Sequence, residues 1–258
     1  MLSTGQKVIW VTGASSGLGR SIALQLANGG ALVIASARNR QALDELAAQS
    51  ANIRALACDI TDSEACAALG AQLAAISPHI DQAILNAGNC EYLDFPDPDW
   101  AAVRRVMEVN FFGTVNCVEL VLPLLRAARQ PHLVVVASQA TAAPFPRAEA
   151  YGASKAALQY FCDCLRLDLA GEKIDVSVVN PGFVDTPLTR KNDFEMPFLM
   201  DVEQAAGRII DKLGSRPRRY SFPLRLSLLL GLSKLAPGLW QKAMASGKQA
   251  SSMPPGTP

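Results

Sequence analysis

The sequence predicts a single doubly wound α/β domain, with a parallel sheet covered by helices on both faces. Three observations predict it. Short apolar, β-rich runs alternate with helical periodicity along most of the 258 residues, the pattern of repeated βαβ units. A glycine-rich stretch, Gly13-Ala14-Ser15-Ser16-Gly17-Leu18-Gly19, separates the first apolar run from the first helix. There the backbone can approach a pyrophosphate held at a helix N-terminus. Polar or turn residues then recur where later strands should end, at Asp59, Asn86, Ser138 and Pro181. In such sheets ligands bind outside the carboxyl ends of the strands.

Each element follows from local pattern. Residues 7–12 (KVIWVT) form the first strand, apolar throughout like strands buried on both faces. Ile22, Leu24 and Leu26 carry the first helix, and Gly29-Gly30 ends it. A strand at 31–35 and a helix at 41–49 follow, then a strand at 53–58 and a helix near 63–75. Next come a strand at 80–85 and a long helix, roughly 100–128, with Asn110 near its middle. A strand at 133–137 leads through Ser138 to a helix at 151–170 and a sixth strand at 175–179. Asp201 and Gln204 resemble a capping box that opens a helix ending at Leu213. With no long linker or repeat, residues 1–213 read as one dinucleotide-binding and catalytic domain. Residues 214–245 read as an extension of it, and the small, polar, proline-rich 246–258 as a disordered tail.

Composition narrows the function. Half the residues are apolar and the net charge is +1, which describes an ordered globule with no general attraction for nucleic acid. The charge is unevenly placed. Arg216, Arg218, Arg219, Arg225, Lys234, Lys242 and Lys248 stand beyond Gly214 without an acid; with +7 in this segment and +1 for the whole chain, the remainder carries −6. Cys58, Cys66, Cys90, Cys117, Cys162 and Cys164 show no paired framework and read as buried thiols of a reducing compartment. His79 and His132 precede strands and read as loop residues, so no metal site is expected. No basic-then-apolar leader precedes the first strand, and the expected compartment is the cytoplasm.

The chemistry centres on Tyr151-Gly152-Ala153-Ser154-Lys155. A tyrosine and a lysine four apart share a helix face. An ammonium about 4 Å from the phenol would contribute roughly 4 kcal/mol, or about three pKa units. The expectation is a phenol brought close to neutrality, where proton transfer is most efficient. Ser138 stands at the end of the strand just before this helix.

Taken together, these motifs resemble the short-chain dehydrogenase/reductase family over about residues 7–213. The likeness rests on T-G-A-S-S-G-L-G from Thr12 to Gly19, C-D-I-T from Cys58 to Thr61, and N-A-G at Asn86, Ala87 and Gly88. It continues through Asn110, Ser138, Y-G-A-S-K at Tyr151 to Lys155, and P-G-F-V-D-T from Pro181 to Thr186. The resemblance implies that Tyr151 is the general acid or base and that Ser138 hydrogen-bonds the substrate oxygen. Lys155 would then lower the phenol pKa and hold the nicotinamide ribose, and Asn110 would position a relay water. It implies cofactor contacts from Gly13, Ser15, Ser16, Gly17, Leu18, Gly19, Asp59, Ile60, Asn86, Ala87, Gly88, Pro181, Gly182, Val184 and Thr186. A homodimer or homotetramer through the helices around Asn110 and Tyr151 is also implied.

The cofactor expected is NADP(H). Relatives that prefer NAD usually place an acid at the end of the second strand; here Ala37 stands there and Arg38 follows. Arginine can pair with a 2′-phosphate that a carboxylate would repel. Apolar residues within 183–200, including Phe194, Met196 and Phe198, suggest a lid over an apolar or lipid-like substrate. The leucine-rich 220–244 segment reads as helices packed over the cleft or on a partner subunit; the alternative is a basic-apolar helix on an anionic membrane surface. The expected reaction interconverts a carbonyl and a secondary alcohol. A 3-oxoacyl thioester reductase and a non-enzymatic nucleotide sensor are the competing readings.

Overall fold

The computed structural model describes residues 5–250. Seven strands form one parallel sheet: β1 (Val8–Thr12), β2 (Leu32–Ala37), β3 (Ile53–Ala57), β4 (Gln82–Leu85), β5 (His132–Val136), β6 (Asp175–Pro181) and β7 (Arg219–Phe222). Their order is β3-β2-β1-β4-β5-β6-β7, and every pairing is parallel. The order reverses beside β1, between β2 and β4, and a crevice opens at that switch point.

Both sheet faces are buried, which is why the strands read as continuous apolar runs. In β1, Val8 and Trp10 join one core cluster while Ile9 and Val11 join the other. The first cluster takes its helical side from α3 (Ser63–Ile76), α5 (Gly113–Arg126) and α6 (Glu149–Asp168). The second takes it from α1 (Gly17–Asn28), α2 (Arg40–Ala47) and α7 (Val202–Leu213). Trp10 is fully buried, and its indole donates to Ser36 Oγ across the β1–β2 pair at 2.9 Å.

Several expectations change. The long helix expected over 100–128 is interrupted: α4 (Ala101–Met107) passes into a π turn (Glu108–Phe112) before α5 resumes, and Asn110 lies in that turn. An extra residue in a helical turn carries no periodicity signal, so the pattern shows one helix. The Ala101–Arg126 stretch is apolar and long enough to cross a bilayer, but Val106, Cys117, Val121 and Leu125 are buried in the domain. The second strand runs two residues further than expected, to Ala37, which places Arg38 directly at its exit.

His132 is not a loop residue. It opens β5, fully enclosed, with Nδ1 2.8 Å from Gln82 Nε2 and Nε2 2.8 Å from Ser177 Oγ. Ser177 donates its own proton to Pro217 O at 2.5 Å, so His132 Nε2 must be the donor to Ser177 and Nδ1 the acceptor. Burial pushes this imidazole down to about 4. The thiols also divide. Cys58, Cys66, Cys117 and Cys162 are buried as expected, whereas Cys164 is exposed and Cys90 lies half-buried beside the cleft.

The segment beyond Gly214 adds a strand as well as helices. β7 extends the sheet beside β6, pinned by Arg216 to Asp175 and by Arg219 to Asp163. Two cations of the basic segment are thus paired with acids of the domain body. Two helices follow, α8 (Leu224–Leu235) and α9 (Pro237–Ala250). The tail expected to be disordered from 246 is helical as far as Ala250. Alanine, lysine and glutamine after a proline-started turn favour continuation of that helix. Residues 251–258 of that expectation lie outside the described residues. At α7 only half a capping box forms: Asp201 Oδ1 accepts from the Glu203 and Gln204 amides.

Candidate active site

The carboxyl ends of β1 to β6 open onto one cavity of about 550 Å³. Its floor begins at the β1–β4 seam. Thr12 Oγ1 accepts from the Asn86 and Ala87 amides at 3.0 and 3.1 Å, and Asn86 Nδ2 donates to Thr12 O. These bonds draw the Asn86-Ala87-Gly88 turn under the glycine loop. Gly13 has φ +67°, and a Cβ there would lie 2.8 Å from Ala87 Cα. Only glycine meets both demands. A Cβ on Gly19 would meet Gly13 O at 2.4 Å, so Gly19 supports the loop from beneath and does not line the cavity. Ser15, Ser16, Gly17 and Leu18 do line it, at the start of α1. Ser16 leaves its side chain uncapped, and no acid occupies the first turn. The helix N-terminus thus keeps orphan N–H groups and positive potential for an anion.

At the far end, Arg38 leaves β2 and Asp59 leaves β3. Asp59 Oδ1 is occupied by the Thr61 amide and hydroxyl at 3.0 and 2.8 Å. Its Oδ2 sits 3.9 Å from Arg38 Nη1, with both side chains well exposed. Ile60 completes that wall.

The opposite end gathers Ser138, Tyr151 and Lys155. Ser138 follows β5, and its Oγ accepts from the Ala140 amide at 3.1 Å. Its carbonyl accepts from Thr141 Oγ1, which Gln159 of α6 ties to Asn180 at the end of β6. Tyr151 and Lys155 project from α6 into the same cavity. Lys155 Nζ donates to Val136 O at 2.9 Å and lies 5.9 Å from the centre of the Tyr151 ring. Burial pushes the Lys155 amine down to about 8. It also pushes the Tyr151 phenol up to about 12, against a hydrogen bond with Ser138 that pulls it back. The expected near-neutral phenol is therefore corrected: desolvation of the phenolate outweighs an ammonium that is itself buried and bonded elsewhere.

Pro181, Gly182, Val184 and Thr186 continue the wall from β6. Asn110 does not line it. Its Oδ1 accepts from the Asn89 amide at 2.8 Å, while Nδ2 donates to Asn89 O and to Ser154 Oγ, each at 2.9 Å. Asn110 thus braces the β4 exit against α6, and its direct partners are backbone and Ser154.

Residues 7–196 match the family described as short chain dehydrogenase. The chain belongs to that family. It is 34% identical to an uncharacterized oxidoreductase of Myxococcus xanthus over 241 residues, which covers 92% of this chain and 95% of that protein. A short-chain dehydrogenase from Streptomyces avermitilis superposes with TM-score 0.81 at 25% identity, over 96% of this chain and 100% of that one. A Pseudomonas aeruginosa RhlG/NADP active-site complex superposes with TM-score 0.67 at 29% identity, over 71% of this chain and 75% of that one.

This short-chain dehydrogenase also builds its site from residues that the motifs leave out. Asn89 lines the cavity, and its Oδ1 is the one buried side-chain atom without a hydrogen-bond partner among the described residues. Only its position after the N-A-G turn could have marked it. Ser36, Asn39, Val109, Leu188 and Thr189 also face the cavity. Cys90 lies close enough to Tyr151 and Lys155 to influence both, and burial raises its thiol.

Beyond Cys90 the cleft is aromatic. Phe194 meets Tyr92 and Phe183 edge-on, at 6.1 Å between centroids in each pair. Tyr92 OH donates to Asn192 Oδ1 at 2.6 Å. Arg147 lies 4.9 Å over the Tyr92 ring and bridges Asp94 to Asp193, joining the loops after β4 and β6. The expected lid therefore divides its apolar residues. Val184 and Met200 are buried in the core, whereas Phe194, Phe198 and Leu199 are between 42% and 47% exposed. Leu226 and Leu230 of α8 pack with Phe145 and Phe183 beside this wall.

Proposed function

We propose that the protein is an NADP(H)-dependent oxidoreductase that interconverts a carbonyl and a secondary alcohol on an apolar substrate. The observation that carries this reading is the convergence of Ser138, Tyr151 and Lys155 with the glycine loop in one cavity. The wall fits a dinucleotide: the loop has no room for a Cβ at Gly13 or Gly19, and Asn89 offers an unpartnered buried acceptor. Bound NADPH would supply the hydride. Gly13, Ser15, Ser16, Gly17 and Leu18 would hold its pyrophosphate. Asp59, Ile60, Asn86, Ala87 and Gly88 would hold the adenosine half, and Pro181, Gly182, Val184 and Thr186 the nicotinamide end.

Ser138 would orient the substrate oxygen toward the Tyr151 hydroxyl, which holds the proton to be donated. Lys155 presents positive charge at the ribose position, and Asn110 fixes the π turn that backs the site. Preference for the 2′-phosphate is supported by Ala37 in place of an acid and by the exposed guanidinium of Arg38 at the cavity rim. The likeness to the RhlG/NADP complex points the same way. The aromatic wall of Tyr92, Phe183 and Phe194 supports an apolar substrate. Exposed Phe112 in the π turn before α5, with Tyr160 and Leu167 on α6, supports assembly through those helices. We place the protein in the cytoplasm, with membrane contact at the inner face through the surface described below.

The test is NADPH consumption against panels of apolar ketones and 3-oxoacyl thioesters. Turnover of ketones alone supports this reading, and turnover of thioesters alone moves the assignment to a thioester reductase. Cofactor binding without turnover of either panel overturns the enzymatic reading in favour of a nucleotide sensor.

A further inference from the structure

α8 has two apolar faces and only one of them is covered. Leu226, Leu230 and Ser233 face inward and are buried. Leu224, Leu228, Leu232 and Leu235 face outward, between 59% and 82% exposed. Their spacing of four, four and three residues confines them to an arc of about 80° at 100° per residue. Arg225 and Lys234, both exposed, fall on opposite flanks of that arc. Leu239 of α9, 70% exposed, continues the stripe past the turn. Neither helix contains an acidic residue.

The stripe is continuous with the lid. A hollow of about 480 Å³ between α8 and the 198–200 loop is lined by Phe198, Leu199, Leu224 and Pro223, with Arg208 and Arg225 at its rim. Phe198 and Leu199 are nearly half exposed. Lid and helix thus present a single apolar platform edged by cations, beside the mouth of the cleft.

We infer that this platform is a docking surface for an anionic lipid bilayer. An apolar centre with basic flanks suits the headgroup boundary, where leucines enter the acyl region and Lys or Arg heads meet phosphate. α8 is a twelve-residue helix, too short to span a bilayer, so it lies in the surface. A second copy of the chain is a poorer occupant. Across a two-fold axis the same patch would meet itself, and both flanks would bring only cations. Arg216 and Arg219 take no part, because each is committed to an acid of the domain body. The surface therefore rests on Arg208, Arg225, Lys234 and the leucines, and it stands independently of the reaction proposed above.

The experiment is co-sedimentation of the full chain with vesicles of equimolar phosphatidylcholine and phosphatidylglycerol, and with pure phosphatidylcholine, at low and high salt. Wild type is expected to sediment with the phosphatidylglycerol vesicles at low salt and to be released by high salt. Leu228→Ser/Leu232→Ser/Leu235→Ser should reduce binding by about tenfold or more. Arg225→Gln/Lys234→Gln should remove most of the salt-dependent part. The five positions are exposed and lie outside the catalytic cavity, so NADPH binding in solution should persist in both variants and reports folding. Wild type left in the supernatant at low salt overturns the proposal. So does equal binding of wild type and the triple leucine variant. Loss of a dimer in the leucine variant, without any vesicle binding by wild type, would assign the face to a second copy instead.

Discussion

Arg38→Ala isolates the choice of cofactor from the rest of the site. The guanidinium stands at the exit of β2 with one acidic neighbour, Asp59 Oδ2 at 3.9 Å, and is 71% exposed. An exposed pair of this kind contributes about 0–1 kcal/mol to folding, so stability should not change measurably. A charge-assisted bond to a phosphate contributes about 1.5–3 kcal/mol. Its loss should raise the NADPH Kd roughly ten- to a hundredfold, toward the lower figure because water screens the site. NADH has no 2′-phosphate, and its Kd should stay within about twofold. Titrating both cofactors by nicotinamide fluorescence, in wild type and variant, measures the difference directly. Equal weakening of the two cofactors would refute the reasoning, because Arg38 would then be shaping the adenosine pocket as a whole. A wild-type preference for NADH would refute it without any mutant.

Tyr151→Phe removes one hydroxyl and should lower kcat by about a hundred- to ten-thousandfold with NADPH affinity nearly intact; activity within tenfold of wild type counts against the assignment. Lys155→Ala should damage rate and NADPH affinity together, as parallel kinetics and binding would show, since the same amine faces the ribose position and the proton donor. His132 governs an acid-side stability loss. Its folded pKa of about 4 lies below the ordinary 6.5, so the unfolded chain binds more protons between those values. Stability is fully present above pH ~6.5 and declines toward pH ~4, by at most roughly 3 kcal/mol. Urea unfolding across that range should show this slope in wild type and lose it in His132→Leu; an unchanged slope would assign the acid sensitivity to other groups.

The α/β alternation, the glycine loop and the strand-end polar residues were legible because each is a local pattern with a period or a fixed place. Strands buried on both faces read as apolar runs, and a positive φ at Gly13 selects its own residue type. What the sequence hid is non-local. Asn89 and Cys90 enter the site because Asn110, twenty-one residues on, grips the Asn89 backbone. The π turn that carries Asn110 leaves no periodicity of its own. Arg216 and Arg219 read as a basic run because Asp175 and Asp163 are far away in sequence, and β7 was lost inside a leucine-rich stretch. The second apolar face of α8 was visible only as an excess of leucine, since periodicity does not tell which of two faces a core will cover.

Burial acts in opposite senses on Tyr151 and Lys155 of α6. It pushes the phenol up to about 12, so Tyr151 holds its proton at pH 7. A protonated phenol is the form that can donate to a developing alkoxide, as carbonyl reduction requires. Lys155, at about 8, is mostly an ammonium at pH 7 and begins to lose its charge just above neutrality. As pH rises toward 8 the site therefore loses the cation before the phenol loses its proton. Burial raises the one group and lowers the other, so Tyr151 is expected to hold its proton across the neutral range. Oxidation would require the phenolate to be stabilised by about two pKa units relative to the free site merely to return to its ordinary value.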